Sequence, residues 1–170
     1  MELRTSWAMP NKNTFSIKPI REHRIDKYVK DANVIVDPYS NSSRIGTIRN
    51  DIDKQYDTDY HLDATEFLKV LDDECADVVL YDPPYSLHQL KTVYNKIDGS
   101  VNTLDENDEY WNAQKKEIAR ITKKGGYVLT FSWSSYGIGR EYGFETEEIL
   151  TVAHGSRHRD TIVVACRKVG

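Results

Sequence analysis

Asp77-Val-Val-Leu-Tyr-Asp82 is an apolar run that stops at two prolines, Pro83 and Pro84. Its length and β-branched content read as a buried strand. Proline has no backbone N–H, so the hydrogen-bond ladder cannot continue past Asp82. The strand therefore ends at a fixed point, and an acid stands at that point. Asn33–Pro38, NVIVDP, repeats the pattern: a buried strand ending at Asp37 and a proline. Gly46–Asp53 reads as a weaker strand. Gly126–Trp133 is a stronger one, and two final strands, Glu147–His154 and Asp160–Lys168, flank the polar loop GSRHR.

Helical patterns separate the strands. Ile17–Lys30 reads as a short helix with Pro19 in its first turn. Asp63–Asp73 reads as a helix opened by an Asp-led capping box, Asp63 with Glu66, and buried through Phe67, Leu68 and Leu71. Glu109–Gly126 places Trp111, Ile118 and Ile121 on one side. Lys123 and Lys124 suit its negative end, and Gly125 suits its cap. Alternating strands and helices predict a Rossmann-like α/β sheet, mostly parallel, with a terminal antiparallel strand. Such sheets bind ligands outside the carboxyl ends of their strands. Asp37, Asp51, Asp82, Ser132 and Trp133 all fall at such ends. A single acid there is a turn former, but the set reads as a site.

Asp82-Pro83-Pro84-Tyr85 defines the chemistry of that site. The prolines donate nothing and stiffen the loop. An acceptor-only carboxylate beside a free carbonyl suits a group with two N–H bonds, an amine. Tyr85 adds a flat face for a planar ring. An exocyclic amine on an aromatic base is a poor nucleophile. Two acceptors that hold both its N–H bonds stabilise positive charge developing on nitrogen. A methyl donor held in line would complete the reaction, and a base paired in a duplex would first have to be flipped out.

Composition narrows the class. A chain of 170 residues, 39% hydrophobic and 29% charged, is expected to be one water-soluble domain spanning residues 1–170. No apolar run approaches the ~20 residues of a membrane span, and the first residues lack the apolar core of a secretory signal. Cys75 and Cys166 lie far apart and form no CxxC, so neither a disulfide scaffold nor a metal site is expected. A reducing cytoplasm is the default location. A net charge of −4 argues against coating nucleic acid but leaves room for a local basic groove.

These motifs resemble the amino-methyltransferases that use S-adenosylmethionine, specifically DNA adenine-N6 methyltransferases of the small phage or prophage type. The resemblance covers most of the chain. Asn13–Ile20, with Thr14, Phe15, Ser16 and Lys18, is similar to the family's motif ahead of the cofactor strand. Val34–Ser43 is similar to its cofactor loop, which implies that Asp37, Pro38, Tyr39 and Asn41 face the methionine end. Asn50–Tyr56 is similar to its second acidic strand end, which implies Asp51, with Ile52, at the ribose. His61–Leu68 implies Asp63 and Ala64 at the cofactor's adenine. Asp82, Pro83, Pro84 and Tyr85 would be the catalytic motif, with Asp82 also beside the cofactor.

Two departures stand out. Asn41 and Ser43 replace glycines of the cofactor loop; asparagine tolerates the left-handed conformation better than most residues. The stretch from Tyr85 to Gly125 is too short for a separate recognition domain. Target readout is expected from that loop, from a second copy or another subunit, or not at all. Expected phosphate contacts are His88, Lys91, Lys96, Arg140, Arg157, His158 and Arg159, with a solvated hairpin tip as the alternative for the SRHR loop. Tyr94, Trp133 and Tyr136 are candidates for stacking on bases, with a core role open for Trp133. Gly137-Ile138-Gly139 reads as a source of mobility, and Asp105, Glu106, Asp108 and Glu109 as a helix cap. The expected partner is DNA, with RNA or a catalytically weak nucleic-acid-binding subunit as alternatives.

Overall fold

The computed structural model describes residues 1–84, 88–92, 109–155 and 157–170. Strands β1 (Glu2–Trp7), β2 (Ile35–Asp37), β3 (Ile48–Arg49), β4 (Ala76–Tyr81), β5 (Thr122–Ser132), β6 (Phe144–Ala153) and β7 (Thr161–Lys168) make one seven-stranded sheet. Its order is β1-β6-β7-β5-β4-β2-β3. Every pair is parallel except those of β7, which runs antiparallel to both β5 and β6. The expected mostly parallel α/β sheet is the one observed. No helix among the described residues is long and apolar enough to cross a membrane.

Alternation along each strand splits the core in two. Val79 joins Phe67, Leu68, Ile118, Ile121, Val128 and Val164 on one face, beneath α3 (Ala64–Lys69) and the helix Glu109–Ile121. Val78 and Leu80 join Ile20, Ile25, Leu129, Leu150 and Val163 on the other. The helical cover there comes in pieces: a 3-10 turn Thr14–Ser16, α1 (Lys18–Ile20), a π turn Arg21–Ile25 and α2 (Asp26–Val29). A single helix over 17–30 was expected. The π turn places Arg24 and Ile25 inward, where both are buried. Residues 88–92 form a short helix, α4, so Glu109–Ile121 is α5.

Several boundaries differ from those expected. Pattern alone misses β1. β3 keeps only two of the eight residues in Gly46–Asp53, with an isolated bridge Asn50–Tyr60 beyond it. α3 stops at Lys69, not Asp73, and β6 starts at Phe144. α5 ends at Ile121, so the capping roles of Lys123, Lys124 and Gly125 are corrected. The Thr122 hydroxyl donates to the Ile118 carbonyl at 2.6 Å, and Lys168 of β7 donates to the carbonyls of Ala119 and Thr122. Lys123 instead pairs with Asp77 at 2.7 Å across a bulge between β4 and β5. The mobile role expected of Gly137-Ile138-Gly139 is also corrected. Ile138 is fully buried, and a side chain at Gly137 (φ 68°) would meet the Cys166 sulfur at 2.7 Å. The segment is an anchor in the core.

Candidate active site

The carboxyl ends of β2, β3 and β4 border one cavity of about 820 Å3. Pro38–Asn41 supply its wall after β2, Asn50–Asp53 after β3, and Asp82–Pro84 after β4. Asn11–Phe15, Gln55, Tyr56, Leu62, Ala64 at the start of α3, His88–Leu90, Thr92 and Tyr110 complete it. Parallel strands bring these ends together because each crossover returns the chain to the same edge.

The loop after β2 forms as expected despite its missing glycines. Asn41 takes the left-handed conformation at φ 50°. Its backbone N–H donates to Asp51 at 2.8 Å, and its own side chain accepts the N–H of Ser42. Ser43 is buried, and its N–H closes the turn on the Ser40 carbonyl. Asn50, whose role no local pattern marks, ties this loop to the next. Its amide nitrogen donates to the carbonyls of Pro38 and Leu62, and its oxygen accepts the Leu62 N–H. Both donors and the oxygen of a buried side chain are thus engaged in holding two cavity walls at fixed separation. Asp51 accepts N–H groups from Asn41 and Asp53, one on each oxygen, which leaves lone pairs on both for a ligand. Burial raises its pKa.

Asp37 and Asp82 end adjacent parallel strands. Asp37 is fully buried; one oxygen accepts the Tyr39 N–H at 3.3 Å and the other has no hydrogen-bond partner. Burial first, then the Asp82 charge, hold its carboxyl well above the usual range. Its second oxygen is buried with no partner, so the carboxyl is the less exposed and more easily protonated of the two acids. Ser40 is a second orphan among the described residues around the cavity. Its buried hydroxyl has no hydrogen-bond partner, and the residue lines the cavity.

A neutral network braces the wall from behind. The oxygen of Gln114 accepts the hydroxyls of Tyr39 at 2.8 Å and Tyr81 at 2.9 Å, and its nitrogen donates to Thr65. Burial raises the pKa of both tyrosines, so each stays a donor. Asp63 caps α3 as expected, accepting from Thr65 and Glu66, while its second oxygen accepts the Tyr110 hydroxyl. Gln114 shares a stripe with Ile118 and Ile121, a spacing that would have revealed it.

Of the candidate residues, Thr14, Phe15, Pro38, Tyr39, Asn41, Asp51, Ile52, Ala64, Asp82, Pro83, Pro84 and His88 line the cavity. Ser16, Lys18, Asp37, Asp63, Lys91, Arg140, Arg157 and Arg159 do not. Ser16 turns to the Asn13 carbonyl, and Lys18 is exposed beside Glu22. Arg140 lies in an exposed 3-10 turn. Trp133, half-buried, carries the Arg159 guanidinium at 4.2 Å from its ring centroid. Arg157, His158 and Tyr136 are exposed. Tyr85, Tyr94, Lys96, Asp105, Glu106 and Asp108 lie outside the described residues. Among the described residues no group of acids, histidines or cysteines is arranged to hold a metal.

The fold is that of class I S-adenosylmethionine-dependent methyltransferases. It is similar to the N-methyltransferase NodS from Bradyrhizobium japonicum WM9, with a TM-score of 0.60 and 10% identity over 95% of this chain and 100% of that one. It is similar to a SAM-dependent methyltransferase from Methanosarcina mazei, at 0.58 and 11% over 85% and 96%. It is also similar to TrmN from Thermus thermophilus, at 0.57 and 14% over 89% and 49%, so the chain spans about half the length of that protein. No protein-family model and no curated protein matches the chain.

Proposed function

We propose that the chain binds S-adenosylmethionine in the cavity and methylates N6 of adenine in DNA. One observation carries the reading: Asp82, Pro83 and Pro84 open into the same cavity as the Pro38–Asn41 loop and Asp51. An amine acceptor and a cofactor cradle thus share one enclosure. The residues present fit the cofactor. Asp51 keeps lone pairs for ribose hydroxyls, Ser40 holds an unused hydroxyl in the wall, and Ala64 leaves room for a flat ring. Asn41, Thr14 and Phe15 fall to the methionine end, with Asp37 behind that wall and Asp63 behind Ala64.

The bound cofactor supplies an electrophilic methyl group on a sulfonium. Asp82 and the Pro83 carbonyl hold the two N–H bonds of the adenine amine and turn its lone pair toward that carbon. Tyr85 stacks on the base. As the N–C bond forms and the S–C bond breaks, Asp82 stabilises the charge growing on nitrogen, and the surplus proton then leaves through Asp82 to solvent. Arg157 and Arg159, on the same sheet edge, supply the phosphate contacts.

The test is methyl transfer to DNA and RNA oligonucleotides of identical sequence, followed by nucleoside mass analysis. N6-methyladenine in DNA is the expected product. Its appearance in RNA alone would replace the DNA reading. No transfer to either, with the cofactor bound, would favour a non-catalytic nucleic-acid-binding subunit.

A further inference from the structure

The edge strand β1 has its alternation inverted. Glu2, Arg4 and Ser6 share the face of Glu148, Leu150 and Val152, which the helical segment over 14–29 covers. Arg4 reaches His23 of that segment at 3.1 Å. Leu3, Thr5 and Trp7 share the opposite face with Ile149, Thr151 and Ala153. Both α3 and α5 pack against other strands, and the only helical turn between β5 and β6 is Arg140–Tyr142. Among the described residues no helix covers the apolar side of β1. Leu3 is 68% exposed and Trp7 61%, and Met1 and Met9, of the same parity, are 81% and 69% exposed.

The two margins of the sheet differ. β3 is two residues long and is covered by the segment 57–60, whose Asp59 and Tyr60 bond Arg49 on both its N–H and its carbonyl. A short, covered margin resists pairing with another chain. β1 is six residues long, contains no proline, lysine or bulge, and pairs on one side only. Such an edge is a template for another strand.

We propose that β1 pairs antiparallel with β1 of a second copy of this chain, about a two-fold axis at Thr5. The sequence is self-complementary in that register. Met1 falls opposite the partner's Met9, Leu3 opposite the partner's Trp7, and Thr5 opposite the partner's Thr5. Apolar residues thus meet apolar ones on one face. Arg4 meets the partner's Ser6, so no like charges lie directly opposite. An axis at Arg4 would oppose two arginines, and an axis at Leu3 would shorten the overlap. An axis between Arg4 and Thr5 would place Leu3 beside the partner's Ser6 and break the apolar face. The two-fold axis points the carboxyl edges of the protomers in opposite directions. Each cavity then works independently, and the dimer does not require the methyltransferase reading.

Sedimentation of the chain should give twice the monomer mass at micromolar concentration. Thr5→Arg, which sets like charges against each other on the axis, should sediment as a monomer that keeps the wild-type circular dichroism, with a thermal midpoint that no longer rises with protein concentration. Under mild oxidation Thr5→Cys should be captured as a covalent dimer, because residues opposite each other in such a pair lie within disulfide reach. Leu3→Cys, which faces a tryptophan, should not. A wild-type monomer at every concentration would overturn the proposal, even if β1 captured another protein. So would a Thr5→Arg dimer, or equal capture of Leu3→Cys.

Discussion

Two buried polar clusters lie on opposite faces of the sheet and are built from opposite materials. The Gln114 cluster under α5 is neutral, and each polar end of Gln114 is bonded: two tyrosine hydroxyls on its oxygen, Thr65 on its nitrogen. The Glu148 cluster under α2 is charged. Glu148, 5% exposed, takes Lys27 and the Tyr28 hydroxyl and lies 3.4 Å from the buried Arg24, whose Nε and Nη2 have no partner. The neutral cluster braces Tyr39 in the cavity wall, where position matters and a charge would disturb the chemistry. The charged one clamps a helix to the sheet away from the cavity. Neutral networks fix geometry, whereas buried ions hold only while every partner is present.

That contrast sets the order of expected effects. Glu148→Ala should be the most damaging, at about 3–5 kcal/mol, because it leaves the Arg24 charge buried without its counterion; denaturant unfolding measures it. Gln114→Ala should cost about 2–3 kcal/mol, since the Tyr39 and Tyr81 hydroxyls lose their acceptor. It should also weaken cofactor binding in calorimetry, which Glu148→Ala should not do in its folded fraction. Asn41→Gly should change stability by less than about 1 kcal/mol, because relief of the left-handed residue is offset by loss of the acceptor for the Ser42 N–H and by a freer unfolded chain.

The smallest effect separates the charged cluster from the acid behind the cavity wall by pH. Burial pushes the Glu148 carboxyl up, but Lys27, Tyr28 and Arg24 outweigh it, and the net direction is down. Its stabilisation is present above the unfolded carboxylate pKa and fades as pH falls through the lowered folded value. Asp37 is shifted up, so folding favours its protonated form. That stabilisation is present below the unfolded pKa and is lost as pH rises toward the folded one. Stability profiles should show Glu148→Gln flattening the acid limb and Asp37→Asn flattening the decline toward neutrality.

The parts legible in the sequence were those set by local rules. Strand ends at Pro38 and Pro83, the Asp63 cap and the Ile118–Ile121 stripe depend on neighbours in the chain, and each stands where expected. β1 was hidden because its alternation is inverted and its partner, β6, lies more than 140 residues away. The Asn50 knot and the Gln114 network were hidden because buried amides look like surface residues until long-range partners arrive. The true end of α5 was hidden because its cap, Lys168, comes from β7. For the site, the acids could be named from strand ends. That Asp37 sits buried behind the wall beside Asp82, its pKa raised, required the sheet order.

The central claim is that Asp82 accepts the amine in a cavity that holds the methyl donor. Its most direct test compares wild type with Asp82→Ala in methyl transfer from labelled S-adenosylmethionine to an adenine-containing oligonucleotide, with cofactor binding measured in parallel. The account predicts a loss of about 100-fold or more in the rate while the cofactor still binds. Transfer by Asp82→Ala at the wild-type rate would contradict it.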